Sequence, residues 1–193
     1  MRKPFGRICA ILLCAMMILS STACESGSGK TAEPAPAKAA EAVGNGKRVY
    51  FAGPLFSQSE KDFNVEITAV LEEYRYEVFL PQRDGIEAAQ LEGKSEEELI
   101  QMIFDLDSSE VKKADILFMN LDGRVPDEGA CVELGIAFGS GKRCYGFKTD
   151  TRSIELSLDL NPMISGCMIK IFKNYDGGEL IREIREYLSE NEL

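Results

Sequence analysis

Histidine is absent from this chain of 193 residues. Its absence removes Ser-His-Asp and Cys-His nucleophile pairs and every His-ligated metal site, so acid-base chemistry falls to Asp, Glu, Tyr, Lys or Cys. Positive charge is scarce as well: 22 Lys and Arg stand against 32 Asp and Glu, a net charge of −10 at pH 7. That balance argues against a nucleic-acid backbone or an anionic membrane surface as the main partner. Six cysteines are present, but Cys9, Cys14 and Cys24 belong to the N-terminal segment. The remaining Cys131, Cys144 and Cys167 are odd in number and show no C-x-x-C spacing, so neither a disulfide framework nor a zinc site is expected. They read as small buried hydrophobes.

The apolar run ICAILLCAMMIL, residues 8 to 19, is too short for a comfortable membrane span. It follows Arg2, Lys3 and Arg7 and precedes SSTAC, an arrangement that resembles a bacterial lipoprotein signal over residues 1–23. Ser21, Thr22 and Ala23 are small as a lipobox requires, with Ser21 where Leu is usual, and Cys24 is the candidate lipidation site. Ordinary cleavage and simple secretion is the alternative. Either route is expected to place the protein outside the cytoplasm, and only lipidation would attach it to the membrane, through the lipid alone. Residues 24–46 are rich in Ala, Pro, Gly, Ser and charge, and cannot bury enough apolar surface to fold, so they read as a tether. One domain, residues 47–193, remains.

In that domain short apolar runs of strand type recur at 48–52, 76–80, 115–120, 143–147 and 168–172. Helical stretches are predicted near 58–74, 95–113, 128–140 and 177–191. In the second of these Leu99, Ile103, Leu106 and Val111 are expected to share one face, with SEEE at 95–98 capping its start. Strands separated by helices imply right-handed crossovers and a parallel sheet covered on both faces. The expected fold is three-layer α/β, flavodoxin-like, with five strands in the order 2-1-3-4-5. Such sheets bind ligands beyond the carboxyl ends of their strands. The loops there contain neither G-x-G-x-x-G nor G-x-x-x-x-G-K-[ST], so a dinucleotide or NTP site is not supported. They contain carboxylates instead: Asp122, Asp127 and Glu128 crowd the third loop, and Glu133 stands between Val132 and Leu134 on the helix that follows.

A carboxylate on an apolar helix costs stability unless it is paired or hydrogen-bonded, and such groups gather at sites of chemistry. Read alone, Glu133 could equally reach solvent, Tyr50 could be an ordinary strand aromatic, Asp107 a helix-surface charge and Asp127 a helix N-cap. The combination VYFAGPLF, PQRDG and NLDGRVPDEGACVELGIAFGSGKRCYGFKTDTR closely resembles the nucleoside 2-deoxyribosyltransferase family, over residues 47 to about 190. The resemblance implies transfer of a 2-deoxyribosyl group between nucleobases, with Glu133 as nucleophile, Tyr50 as the hydroxyl orienting it and Asp107 near the departing base. It implies that Asp127 binds the sugar 5'-hydroxyl, and that Asn161 and Met163, in a loop marked by Pro162, reach into a neighbouring subunit's site. Gln82 and Arg83 in PQRDG are placed facing the base, and Gly53 opens the first substrate loop. The implied partners are deoxynucleosides, free nucleobases and further copies of the chain. No cofactor and no metal are expected.

Two other readings stay open at this stage. A nucleoside-binding lipoprotein would keep the pocket without needing Glu133. An N-glycosidic hydrolase would use water in place of the acceptor base, but deoxynucleotide hydrolases of related fold carry a Gly/Ser/Arg-rich first loop, whereas GPLFSQ offers no cation. The family is usually intracellular, so a lipoprotein signal on it suggests scavenging outside the cytoplasm.

Overall fold

The structure, a computed structural model, describes residues 46–152 and 158–193. The expected signal segment, Cys24 and all but the last residue of the tether lie outside the described residues. Five parallel strands, β1 (Arg48–Ala52), β2 (Glu77–Phe79), β3 (Ile116–Asn120), β4 (Arg143–Lys148) and β5 (Lys170–Lys173), form one sheet in the order β2-β1-β3-β4-β5. This is the expected order. Every residue of β3 is buried, as a strand covered on both faces requires.

Alternation along the strands feeds two cores. Val49, Phe51, Ile116, Phe118, Tyr145, Phe147 and Phe172 point to one face, where α1 (Gln58–Glu73) and α7 (Gly177–Glu190) cover them. Tyr50, Ala52, Leu117, Met119 and Cys144 point to the other, packed with α4 (Glu96–Lys113), α5 (Glu128–Gly139) and α6 (Pro162–Cys167). Capping residues set where helices begin: Ser57 and Ser95 each form a capping box, with Glu60 and Glu98 respectively. Short helices α2 (Pro81–Asp84) and α3 (Ala88–Leu91) occupy the connection after β2 that holds PQRDG. Pro81 supplies the preset φ that starts α2.

The expected inner face of α4 needs correction. Val111 is buried, but Ile103 is 47% exposed, together with Ile100 and Phe104. Length explains this. Eighteen residues at about 1.5 Å reach roughly 27 Å, whereas five strand residues at about 3.3 Å reach only roughly 16 Å, so α4 outruns the sheet. Its last turns pack and its first turns project past the carboxyl edge.

Candidate active site

Two elements distant in sequence meet at one hydrogen bond. β1 holds Tyr50 fully buried, its ring stacked on Phe79 of the adjacent strand at 5.6 Å between centroids and 16° between planes. From the neighbouring layer α5 presents Glu133, and the Tyr50 hydroxyl donates to its Oε1 at 2.7 Å. Burial pushes the Glu133 carboxyl up to about 7; the Tyr50 hydrogen bond opposes this, while the charges of Asp107 and Asp127 add to it. Burial likewise holds the Tyr50 hydroxyl firmly protonated, and the charges of Glu133 and Asp107 reinforce that. The hydroxyl is therefore a fixed donor.

Asp107 approaches the same hydroxyl from α4. Burial raises its carboxyl above the usual range, and the nearby Tyr50 hydroxyl partly offsets the rise. Asp127 occupies the N-cap of α5, its Oδ1 accepting from the Ala130 backbone N–H at 2.8 Å. The capping role anticipated for it is present, and the cap fixes the start of the helix that carries Glu133. Tyr50, Asp107, Asp127 and Glu133 are thus gathered at the carboxyl side of the sheet, beside the point where strand order reverses between β1 and β3.

The other residues selected from the sequence have partners of their own within the fold. Asn161 and Met163 are not loop: Asn161 is the N-cap of α6, accepting from the Met163 backbone N–H at 2.9 Å, and Pro162 is its first helical residue. A proline there loses only a donor that a helix start leaves unpaired, which is why it begins a helix instead of marking a loop. Both residues line a cavity of about 370 Å³ with Cys131, Leu134, Gly135, Ile164 and Cys167. Cys131 and Gly135 lie two residues either side of Glu133, about 200° around the helix at 3.6 residues per turn. Asn161 and Met163 accordingly sit across α5 from the Glu133 carboxylate of their own chain.

Gln82 and Arg83 are engaged within the protein. The Gln82 amide donates to the Lys61 carbonyl at 2.9 Å and accepts from Asn64 at 3.2 Å. Arg83 forks onto Glu72, Asp84 and the Val78 carbonyl. Gly53 lies against β3, where a Cβ would come within 2.6 Å of the Asn120 Cβ, so only glycine allows the approach. Among residues that the sequence did not single out, Asn64 and Asn120 are 1% and 2% exposed and hydrogen-bonded to each other. A polar Asn closing the apolar run ILFMN was the available signal. Phe56 and Val125, exposed apolar side chains in the loops after β1 and β3, border the same end of the sheet.

A half-buried carboxylate beside a fixed phenolic donor and a second, protonatable carboxyl is suited to glycosyl capture and proton delivery. The sequence model of the nucleoside 2-deoxyribosyltransferase family matches residues 49–178. The chain belongs to that family. No curated protein sequence matches it. Among solved structures it is similar to a 2-deoxyribosyltransferase from Bacillus psychrosaccharolyticus, at 24% identity and a TM-score of 0.59, covering 72% of this chain and 91% of that one. It is also similar to a conserved protein from Enterococcus faecalis, at 23% identity and a TM-score of 0.55, covering 73% and 98% respectively. These likenesses show a shared fold.

Proposed function

We propose that the protein moves a 2-deoxyribosyl group from one nucleobase to another through a covalent ester on Glu133, acting on unphosphorylated deoxynucleosides. The observation that carries this is the 2.7 Å bond between the buried Tyr50 hydroxyl and Glu133. A deoxynucleoside lacks the 2'-hydroxyl that would destabilise positive charge at C1', so an oxocarbenium-like transition state is accessible. An ionised Glu133 oxygen bonds to C1' as the C1'–N bond breaks, and its electron pair leaves with the base. Asp107, whose carboxyl retains its proton more readily than an exposed one, delivers that proton to the departing base. In the second half a ring nitrogen of the incoming base attacks C1', gives its proton to Asp107, and the ester oxygen departs as carboxylate. Two inversions give net retention.

Tyr50 holds one Glu133 oxygen so that the other faces the sugar. Asp127 has a second carboxylate oxygen for the 5'-hydroxyl, and Asp122, Asp127 and Glu128 make the third loop unfavourable for a phosphate. Asn161 and Met163, across α5 from their own Glu133, act in the site of a second copy, so the working form is a homo-oligomer. A lipid on Cys24 would hold this activity at the outer face of the membrane, scavenging nucleosides. Incubating the protein with a deoxynucleoside, with and without a second free base, tests the reading. Base exchange supports it, hydrolysis alone makes water the acceptor, and neither leaves a binding protein.

A further inference from the structure

We propose that Asn64, Gln82 and Asn120, with Asp122, form a one-way chain of hydrogen bonds that positions four substrate loops; its link to turnover rests on the function proposed above. The Asp122 backbone N–H donates to Asn120 Oδ1 at 2.9 Å, and Asn120 Nδ2 donates to Asn64 Oδ1 at 2.9 Å. Asn64 Nδ2 then donates to the Pro54 carbonyl at 2.9 Å and to Gln82 Oε1 at 3.2 Å, and Gln82 Nε2 donates to the Lys61 carbonyl at 2.9 Å. At the other end the Asp122 carboxylate accepts from the Thr149 N–H, the Thr149 hydroxyl and the Asp150 N–H at 2.5 to 2.8 Å.

The order of these contacts is the order of the sheet. Gln82 lies after β2, Pro54 after β1, Asn120 and Asp122 close β3, and Thr149 and Asp150 follow β4. Four adjacent strand ends are therefore tied side by side. Each amide accepts from one neighbour and donates to the next, so no single amide can turn over without setting two acceptors against each other. Buried amides add little net stability compared with apolar groups of the same volume. Their contribution is direction, because only one arrangement satisfies every group.

The chain runs on the α1 side of the sheet, whereas Tyr50 and Glu133 meet on the α4–α5 side. It touches the site at two points. Pro54 and Gly53 continue directly from the strand that holds Tyr50, with Gly53 against Asn120. Asp122 begins the loop that ends at Asp127, the cap of the Glu133 helix. The chain thus sets the spacing between the strand end and the helix start across which the sugar must fit. Asn64, Gln82 and Asn120 are positioning residues, with no contact to the reacting atoms.

The test uses full-length Asn64→Leu, which interrupts the chain at its centre, and Gln82→Met, which opens it at its partly exposed end and serves if the first variant does not fold. Hydrogen exchange in loops 53–57, 81–85 and 121–127 should rise together in Asn64→Leu, by about 10-fold or more, while α7 keeps its protection. For exchange between thymidine and adenine, kcat should fall about 10- to 100-fold. The acid limb of the pH profile should not move, since no charge has changed. Gln82→Met should show the same pattern weakened and limited to the first two loops. Loosening confined to the substituted element, or loosening in concert with kcat unchanged, overturns the proposal. If the wild type catalyses neither exchange nor hydrolysis, the function proposed above fails, and hydrogen exchange alone still decides whether the loops are coupled.

Discussion

Replacing Glu133 by Gln should stabilise the protein at pH 8 while abolishing its turnover. In the folded protein the carboxyl titrates near 7, against an ordinary value of 4.5, chiefly because it is buried. Between those values the folded state holds a proton that the unfolded chain releases, so the group's contribution to stability falls as pH rises from 4.5 to 7. Above 7 the full cost of the buried charge is present. At about 1.4 kcal/mol for each pH unit, the two values correspond to roughly 3 kcal/mol. Solvent reaching the partly buried carboxylate reduces this, so about 1–3 kcal/mol is expected at pH 8 and close to none at pH 4.5. For a domain near 150 residues that is a rise in Tm of about 3–10 °C. Gln keeps the length and an acceptor for the Tyr50 hydroxyl, so the packing is preserved. Thermal or urea unfolding of both proteins at pH 4.5, 6 and 8 measures the effect. A Gln variant equally stable at all three pH values, or less stable at pH 8, would refute the assignment of a buried, destabilising charge to Glu133.

Turnover should follow the same titration: kcat/KM should fall tenfold per pH unit below about 7 as Glu133 gains its proton, and a profile flat down to pH 5 would show that another group limits the reaction. With a slow 2-fluoro deoxynucleoside and no acceptor base, intact-mass analysis should find one sugar on the wild type and none on Glu133→Gln; a sugar on another residue would displace Glu133 as nucleophile. Tyr50→Phe should lower kcat on the order of 10- to 1000-fold while leaving the Phe79 stack intact, and a variant as fast as wild type would deny the hydroxyl an orienting role. If Asn161 and Met163 complete a second copy's site, activity per chain should drop on dilution below the dissociation constant, and full activity from a sedimenting monomer would exclude it. Cys24→Ala should release the protein from membranes without detergent, whereas removal of native protein by salt alone would rule out a lipid anchor.

Strand order, layer order and the start of two long helices were legible because each rests on a local pattern: apolar runs for β1 to β5, and Ser95 and Asp127 as caps. The packing of α4 was not. Periodicity shows which residues share a face, but only the relative lengths of helix and strand show that Ile100, Ile103 and Phe104 pass the end of the sheet. Asn161-Pro162 was misread because proline ends one helix and begins another with the same side chain. Single residues could not reveal that Tyr50 and Glu133, 83 positions apart, share a hydrogen bond; the family resemblance supplied that pair. Gln82 was placed by its loop, whereas its amide is held by Asn64 and Lys61, partners visible only once α1 and α2 are packed together.

The place of β1 between β2 and β3 also governs how the chain folds. It is the first of the described strands in the chain, yet it pairs on one side with residues 77–79 and on the other with residues 116–119. Until β3 emerges, the apolar segment VYFA has an open edge and no settled register. Parallel pairing across such separations requires long loops to close before any contact forms, which places folding in the slower range of small domains. Rapid early collapse therefore exposes this segment to neighbouring chains, and the protein depends on β3 arriving before another molecule does.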